Sequence, residues 1–296
     1  MKSLQTNCNA VKKFDTIKTN QFWLLGIASS LIAIHLSLTS RQDGNLFALS
    51  ILFWLATSFF VWQKRHSLNL ESSLYSSIFG FIIIAIILLR SLAAPSWSFL
   101  GLFPLISGLG FSLIASGFKG LIQYRQELIL LFFFKIPHIL LTPIIDISAL
   151  TAKFATYILW YLGFEASVQG FNVVLPQGSV LVYSPCAGFD GILDLIRLSV
   201  VFLILFPLQG IKKRIFVLVS SMVIAFVTNG FRVALMAILT AAQNQQAFEY
   251  WHTGKGSLIF SMISTAIFGA FYYLLLLQEN ATTKILNPKT LDGEHQ

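Results

Sequence analysis

Residues 184–207 read Ser184-Pro185-Cys186-Ala187-Gly188-Phe189-Asp190 and then GILDLIRLSVVFLILFP. From Ala187 to Pro207 the stretch is apolar enough, and long enough, to cross a hydrocarbon core about 30 Å thick. A thiol stands at its head. Pro185 breaks whatever precedes it and suits a helix start, so the reading is a helix that enters the membrane just after Cys186. The rest of the chain repeats this kind of segment. Of 296 residues, 56% are hydrophobic and 11% charged, with a mean hydropathy of +0.76. A soluble domain carries about 25% charged residues, and so few charges cannot cover a water-soluble globule. The net charge of +8 lies in short clusters between apolar runs. It therefore marks topology and contact with anionic membrane lipid, not a nucleic-acid face.

Working outward, the apolar runs are 22–38, 46–62, 75–92, 97–118, 128–145, 187–207, 215–239 and 257–277. They predict an all-α multi-span membrane protein of about eight transmembrane helices. Residues 1–21 and 278–296 are expected as cytoplasmic tails around a single membrane domain, 22–277. Lys12-Lys13, Lys64-Arg65 and Lys212-Lys213-Arg214 all fall on the cytoplasmic side in this scheme, while Arg41 and Arg90 do not. No cleavable leader is read at the start, so the first run is expected to stay as an anchor. Pro137 and Pro143 are expected to kink or end the fifth run. The segment 146–163 holds Asp146 and Lys153 with Trp160-Tyr161, and reads as an interfacial helix at the outer surface. Val168–Leu175 and Ser179–Tyr183, joined by Pro176-Gln177-Gly178, read as a small extracytoplasmic β-hairpin. A bare hairpin cannot lie in lipid, because its edges need partners.

Chemistry concentrates in 164–277. Cys186 at a helix start would meet N–H groups and a dipole that favour an anion; the plain alternative is a small buried hydrophobe. At 100° per residue, Cys186, Asp190 and Arg197 fall within about 40° on one helix face, with Asp194 about 80° away. Asp194 and Arg197 are three apart and can pair, which needs no function beyond holding the bundle. In the next run, Arg232 lies about 26 Å of helix beyond Ile215, at the depth expected of Cys186. Asn229, one turn earlier, is placed to orient its guanidinium. His252 precedes the last run and could move a proton at a thiol. His35, His66, His138 and His295 have no companions that suggest chemistry. No His-Glu-x-x-His or phosphate-loop pattern occurs, and no metal or cofactor is expected. A transporter or channel would also account for Asp190, Asp194 and Arg197, but not for a thiol, an arginine and a histidine arriving at one membrane face.

Taken together, Pro185-Cys186-Ala187-Gly188, the Asn-x-x-Arg element Asn229-Gly230-Phe231-Arg232, and His252 before the final run resemble the exosortase/archaeosortase family of membrane cysteine transpeptidases. The wording around Cys186 resembles the cyanobacterial branch, the cyanoexosortases, although Cys-Ala-Gly stands where Cys-Ser-Gly is more usual. The resemblance covers the chain from the hairpin onward. It implies a multi-pass protein of the inner (plasma) membrane with its site on the extracytoplasmic side. It further implies Cys186 as nucleophile, Arg232 as the essential arginine and His252 as the third member; Asn229 and Asp190 are read from their positions as supporting residues, with Asp190 open between support and catalysis. The implied partners are secreted proteins bearing a C-terminal sorting signal: a Pro-Glu-Pro-type motif, a transmembrane helix and a basic cluster.

Overall fold

A computed structural model describes residues 2–42, 44–93 and 96–286. Ten helices and a three-stranded sheet occupy the described residues. All eight expected apolar runs are helical: α1 (Lys2–Ser40), α2 (Gly44–Gln63), α3 (Leu74–Ser91), α4 (Trp97–Gly120), α5 (Arg125–Leu141), α7 (Phe189–Leu205), α8 (Ile211–Ala241) and α10 (Lys255–Leu286). The others are α6 (Ser148–Tyr161) and α9 (Gln245–His252). The expected tails are thus partly helical extensions of α1 and α10, and residues 287–296 lie outside the described ones, as does Pro95. Six helical stretches among the described residues are long and apolar enough to cross a membrane. One of them, Trp97–Leu141, contains both α4 and α5. Exposed Leu, Ile and Phe side chains stud these helices, as lipid-facing surfaces require. The chain is an all-α multi-span membrane protein with a small sheet.

The chain forms two compact units, Met1–Ile139 and Leu140–Gln296. In the first, α4 and α5 run antiparallel, with α5 side chains seated over α4 glycines. A Cβ on Gly101 would fall 2.6 Å from Lys135 Cγ, and one on Gly108 would fall 2.6 Å from Leu131 Cδ1. The close backbone approach is between α3 and α4, where a Cβ on Gly80 would fall 2.6 Å from the Gly110 carbonyl oxygen, as small residues allow in membrane helices. The break between the two helices begins at Gly117, with φ +67 and ψ −175. Pro137, by contrast, is carried inside α5, which runs on to Leu141. α5 ends two residues before Pro143, as expected of that proline, while Pro137 sits inside the helix. His35 is fully buried here. Its Nδ1 accepts from Trp54 Nε1 at 3.0 Å, and its Nε2 donates to the Leu100 carbonyl at 3.0 Å. It is a satisfied core histidine.

In the second unit, α8 is the axis. Phe154 of α6 stacks near Phe226 (ring centroids 5.1 Å) and lies over Gly230 of α8, where an added Cβ would be 2.3 Å from Phe154 Cδ1. Fourteen residues make α6 about 21 Å long, well short of a full crossing. Its buried face, Ala152, Ala155 and Leu159, packs with Val233, Ala234 and Ala237 of α8 and with Val173, Leu175 and Val182 around the sheet. Trp160 and Tyr161 remain exposed.

The hairpin has three strands, not two: β1 (Ser167–Gln169), β2 (Asn172–Leu175) and β3 (Gly178–Leu181), antiparallel in that order. The strand expected over 168–175 breaks at Gly170, whose φ of +61 opens a two-residue turn that pairs Gln169 with Asn172. Glycine at the first central position is what such a turn requires. Pro176-Gln177 closes the second turn, pairing Leu175 with Gly178. One face of the sheet is held by α6 and α8, which removes the objection to a bare hairpin.

Candidate active site

Tyr183 ends the strand segment, and Ser184–Cys186 form a single 3₁₀ turn with Pro185 in its first positions. The Cys186 N–H donates to the Tyr183 carbonyl at 2.7 Å. Gly188 then takes φ +88, and α7 begins at Phe189. Cys186 therefore lies beside the first turn of α7, not within it. The wheel that set it on one face with Asp190 and Arg197 does not extend through a left-handed residue. A side chain at Gly188 would cost about 1–2 kcal/mol in backbone strain alone, and its Cβ would sit 2.4 Å from Asn229 Nδ2.

Two residues of α8, one turn apart and so on one face, hold both halves of the site. Asn229 Nδ2 donates to the Cys186 carbonyl at 3.1 Å. Arg232 Nη2 donates to the His252 carbonyl at 2.8 Å. The expectation that Asn229 orients the guanidinium is thus replaced: Asn229 fixes the backbone of the thiol residue, and Arg232 fixes the backbone of the histidine. Thr151 of α6 adds a third tether, donating from Oγ1 to the Ala187 carbonyl at 2.8 Å.

His252 arrives by a tight connection. Gln243 at φ 53 ends α8, the Asn244 N–H returns to the Leu239 carbonyl at 3.0 Å, and the Asn244 side chain caps α9 by accepting from the Ala247 N–H at 3.0 Å. Eight residues later the helix delivers His252, with the Phe248 ring one turn back packed against the imidazole at 5.1 Å. The result is a direct contact: Cys186 Sγ and His252 Nε2 are 3.1 Å apart. Burial first, and the Arg232 charge second, hold the His252 pKa below the ordinary imidazole value. The imidazole is therefore kept neutral, able to accept a proton at the nitrogen that faces the thiol.

A cavity of about 220 Å³ opens at this contact. Cys186, Arg232 and His252 line it together with Tyr183, Met236 and the length of β3. Arg232 Nε is buried and has no hydrogen-bond partner among the described residues. A buried donor left open is costly, so a small shift of the guanidinium that gives this atom an acceptor is favoured. Tyr183 was not singled out from sequence. It lines the cavity beside Cys186, and that neighbour raises the Tyr183 pKa. The 3₁₀ turn holds the two residues close, through the Cys186 N–H on the Tyr183 carbonyl. Asp190 lies exposed in the first turn of α7 and does not line the cavity. Asp194 pairs with the buried Arg197, as its spacing predicts.

The transmembrane exosortase family model matches residues 41–269. The chain belongs to the transmembrane exosortase family. No curated protein and no solved structure gives a match. Exosortase membership spans the helices before the site as well as the site itself, a longer reach than the motifs from the hairpin onward. It supports a role as a membrane transpeptidase or protease acting on secreted proteins with sorting signals. The match identifies the exosortase family and no finer branch.

Proposed function

We propose that this exosortase-family protein is a cysteine transpeptidase of the inner membrane that cleaves the C-terminal sorting signal of secreted proteins on the extracytoplasmic side. The observation that carries the reading is the 3.1 Å contact between Cys186 Sγ and His252 Nε2, in a cavity that Arg232 also lines. His252 takes the thiol proton and the sulfur attacks a peptide carbonyl carbon. The carbonyl oxygen becomes an oxyanion, which the Arg232 guanidinium meets as a charged donor. The C–N bond then breaks, the leaving amine takes the proton from His252, and the acyl group stays on sulfur as a thioester. A second nucleophile gives its proton to His252, attacks the thioester and restores the thiol. Asn229 acts through the Cys186 backbone, whereas Asp190 lies outside the cavity. The basic cluster Lys212-Lys213-Arg214 lies at the opposite end of α8 from Arg232, which supports a site facing away from the cytoplasm.

The test is to co-express the chain with a secreted protein that ends in motif, helix and basic cluster. A hydroxylamine-labile adduct should map to the peptide containing Cys186. Mapping of that adduct to any other residue would overturn the assignment. A pH profile adds a second check. A general base must be neutral, and the lowered His252 pKa keeps it so further into acid. The acid limb of kcat/KM for client processing is expected below the ordinary histidine value. Arg232→Met removes the nearby charge and should move the limb of the residual activity upward. A limb above the ordinary histidine value in the unmodified protein counts against His252 as the base.

A further inference from the structure

We propose that the free edge of β3 binds the client as an added β-strand, parallel to β3, and feeds its carbonyl to Cys186. This rests on the cysteine transpeptidase reading above. The register pairs Gly178 with Leu175 and Val180 with Val173, and the Val182 N–H donates to the Phe171 carbonyl at 2.9 Å. In an antiparallel ladder the residues that exchange bonds with the partner alternate with residues whose N–H and C=O point the other way. Residues 178, 180 and 182 therefore face β2. Ser179 and Leu181 turn their backbone groups outward, and no described residue bonds them.

That outward edge faces the cavity. Ser179, Leu181 and Tyr183 line one side of it, Gln245 and Phe248 of α9 line another, and Cys186 with His252 closes its end. The groove also has a direction. A Cβ at Gly178 would lie 3.2 Å from the backbone of Ala241, whereas the Cys186 carbonyl is held by Asn229. Between those levels α8 rises about 18 Å, and a strand at about 3.3 Å per residue needs about five residues to cover it. An exposed strand edge is a template for another chain, and recognition by strand addition takes its affinity from the main chain. The occupant is an extended segment of polypeptide, N-terminal to the scissile bond. This acyl half must stay in place on sulfur while the other half leaves, so it runs with β3 and ends at the thiol. One client residue is then bracketed: its N–H donates to the Ser179 carbonyl, and its carbonyl accepts from the Leu181 N–H. The cleft recognises backbone, so side-chain identity is read elsewhere.

The experiment uses the full chain in detergent or nanodiscs with acetyl-tetraalanyl chloromethyl ketone. Its C-terminal carbon is attacked by the sulfur with loss of chloride. The rate is read by mass spectrometry at the Cys186 peptide and divided by the rate with iodoacetamide, which corrects for thiol reactivity. The tetrapeptide reagent should exceed acetyl-alanyl chloromethyl ketone by about tenfold or more, as one or two net backbone hydrogen bonds allow. N-methylation of the reagent should lower the ratio at alternate positions only, since alternate residues face β3. Leu181→Pro removes one edge N–H at a position where an edge strand tolerates proline, and should lower the ratio toward that of the single-residue reagent. Equal ratios for the long and short reagents, or a uniform effect of N-methylation, would overturn strand addition. Client processing by Cys186→Ala would instead overturn the cysteine reading, so the two failures are distinguishable.

Discussion

Cys186→Ala is expected to leave a client protein entirely in its unprocessed form. Removing the nucleophile of a triad-like site costs on the order of 10⁴- to 10⁶-fold in kcat. At that level no mature product would accumulate during cell growth. The loss should be in chemistry and not in folding. Cys186 is half-buried, and its neighbours are tied down by backbone bonds to Asn229, Thr151 and Tyr183 that an alanine leaves intact. Thermal unfolding in detergent should thus be little changed, and the client should still co-purify with the variant. The measurement is the ratio of precursor to mature client by immunoblot. Normal maturation in this variant would falsify the mechanism and return Cys186 to the status of a small hydrophobe at a turn.

Arg232→Lys is expected to lower kcat by about 10²- to 10³-fold, the usual cost of losing one donor to an oxyanion. The charge is kept, so the loss isolates geometry. Arg232 spends Nη2 on the His252 carbonyl and leaves Nε buried and open. One planar group thereby positions the histidine backbone and keeps further N–H donors for the cavity that Arg232 lines. A lysine ammonium is a single point on a flexible stem and cannot span both places. KM should move much less than kcat if the second donor acts on the transition state. Near-normal kcat would reassign Arg232 to holding α9 against α8.

The membrane character, the helical runs and the three central residues were legible along the chain, each for a physical reason. Apolar length reports span, because backbone groups in lipid must be satisfied within a helix. Asn229 and Arg232 report a shared face, because three residues is close to one turn. Legibility stopped where the backbone leaves a regular period. Gly170 and Gly188 reverse φ, and neither reversal is visible in hydropathy. The first divided an expected strand. The second took Cys186 off the helix and off the face it would have shared with Asp190. The roles within the Asn-x-x-Arg element also depended on what lies opposite α8, which sequence spacing does not contain.

The order of residues by itself determined that this is a multi-span membrane protein, and that a thiol, an arginine and a histidine fall at the ends of neighbouring helices. Only the tertiary structure decided that they meet. The 3.1 Å approach of Cys186 to His252 joins residues 66 positions apart. It depends on a left-handed Gly188, on the cap that starts α9 at Asn244, and on two hydrogen bonds from one face of α8. Periodicity fixes which way a side chain points within a helix, and packing between helices fixes what it reaches.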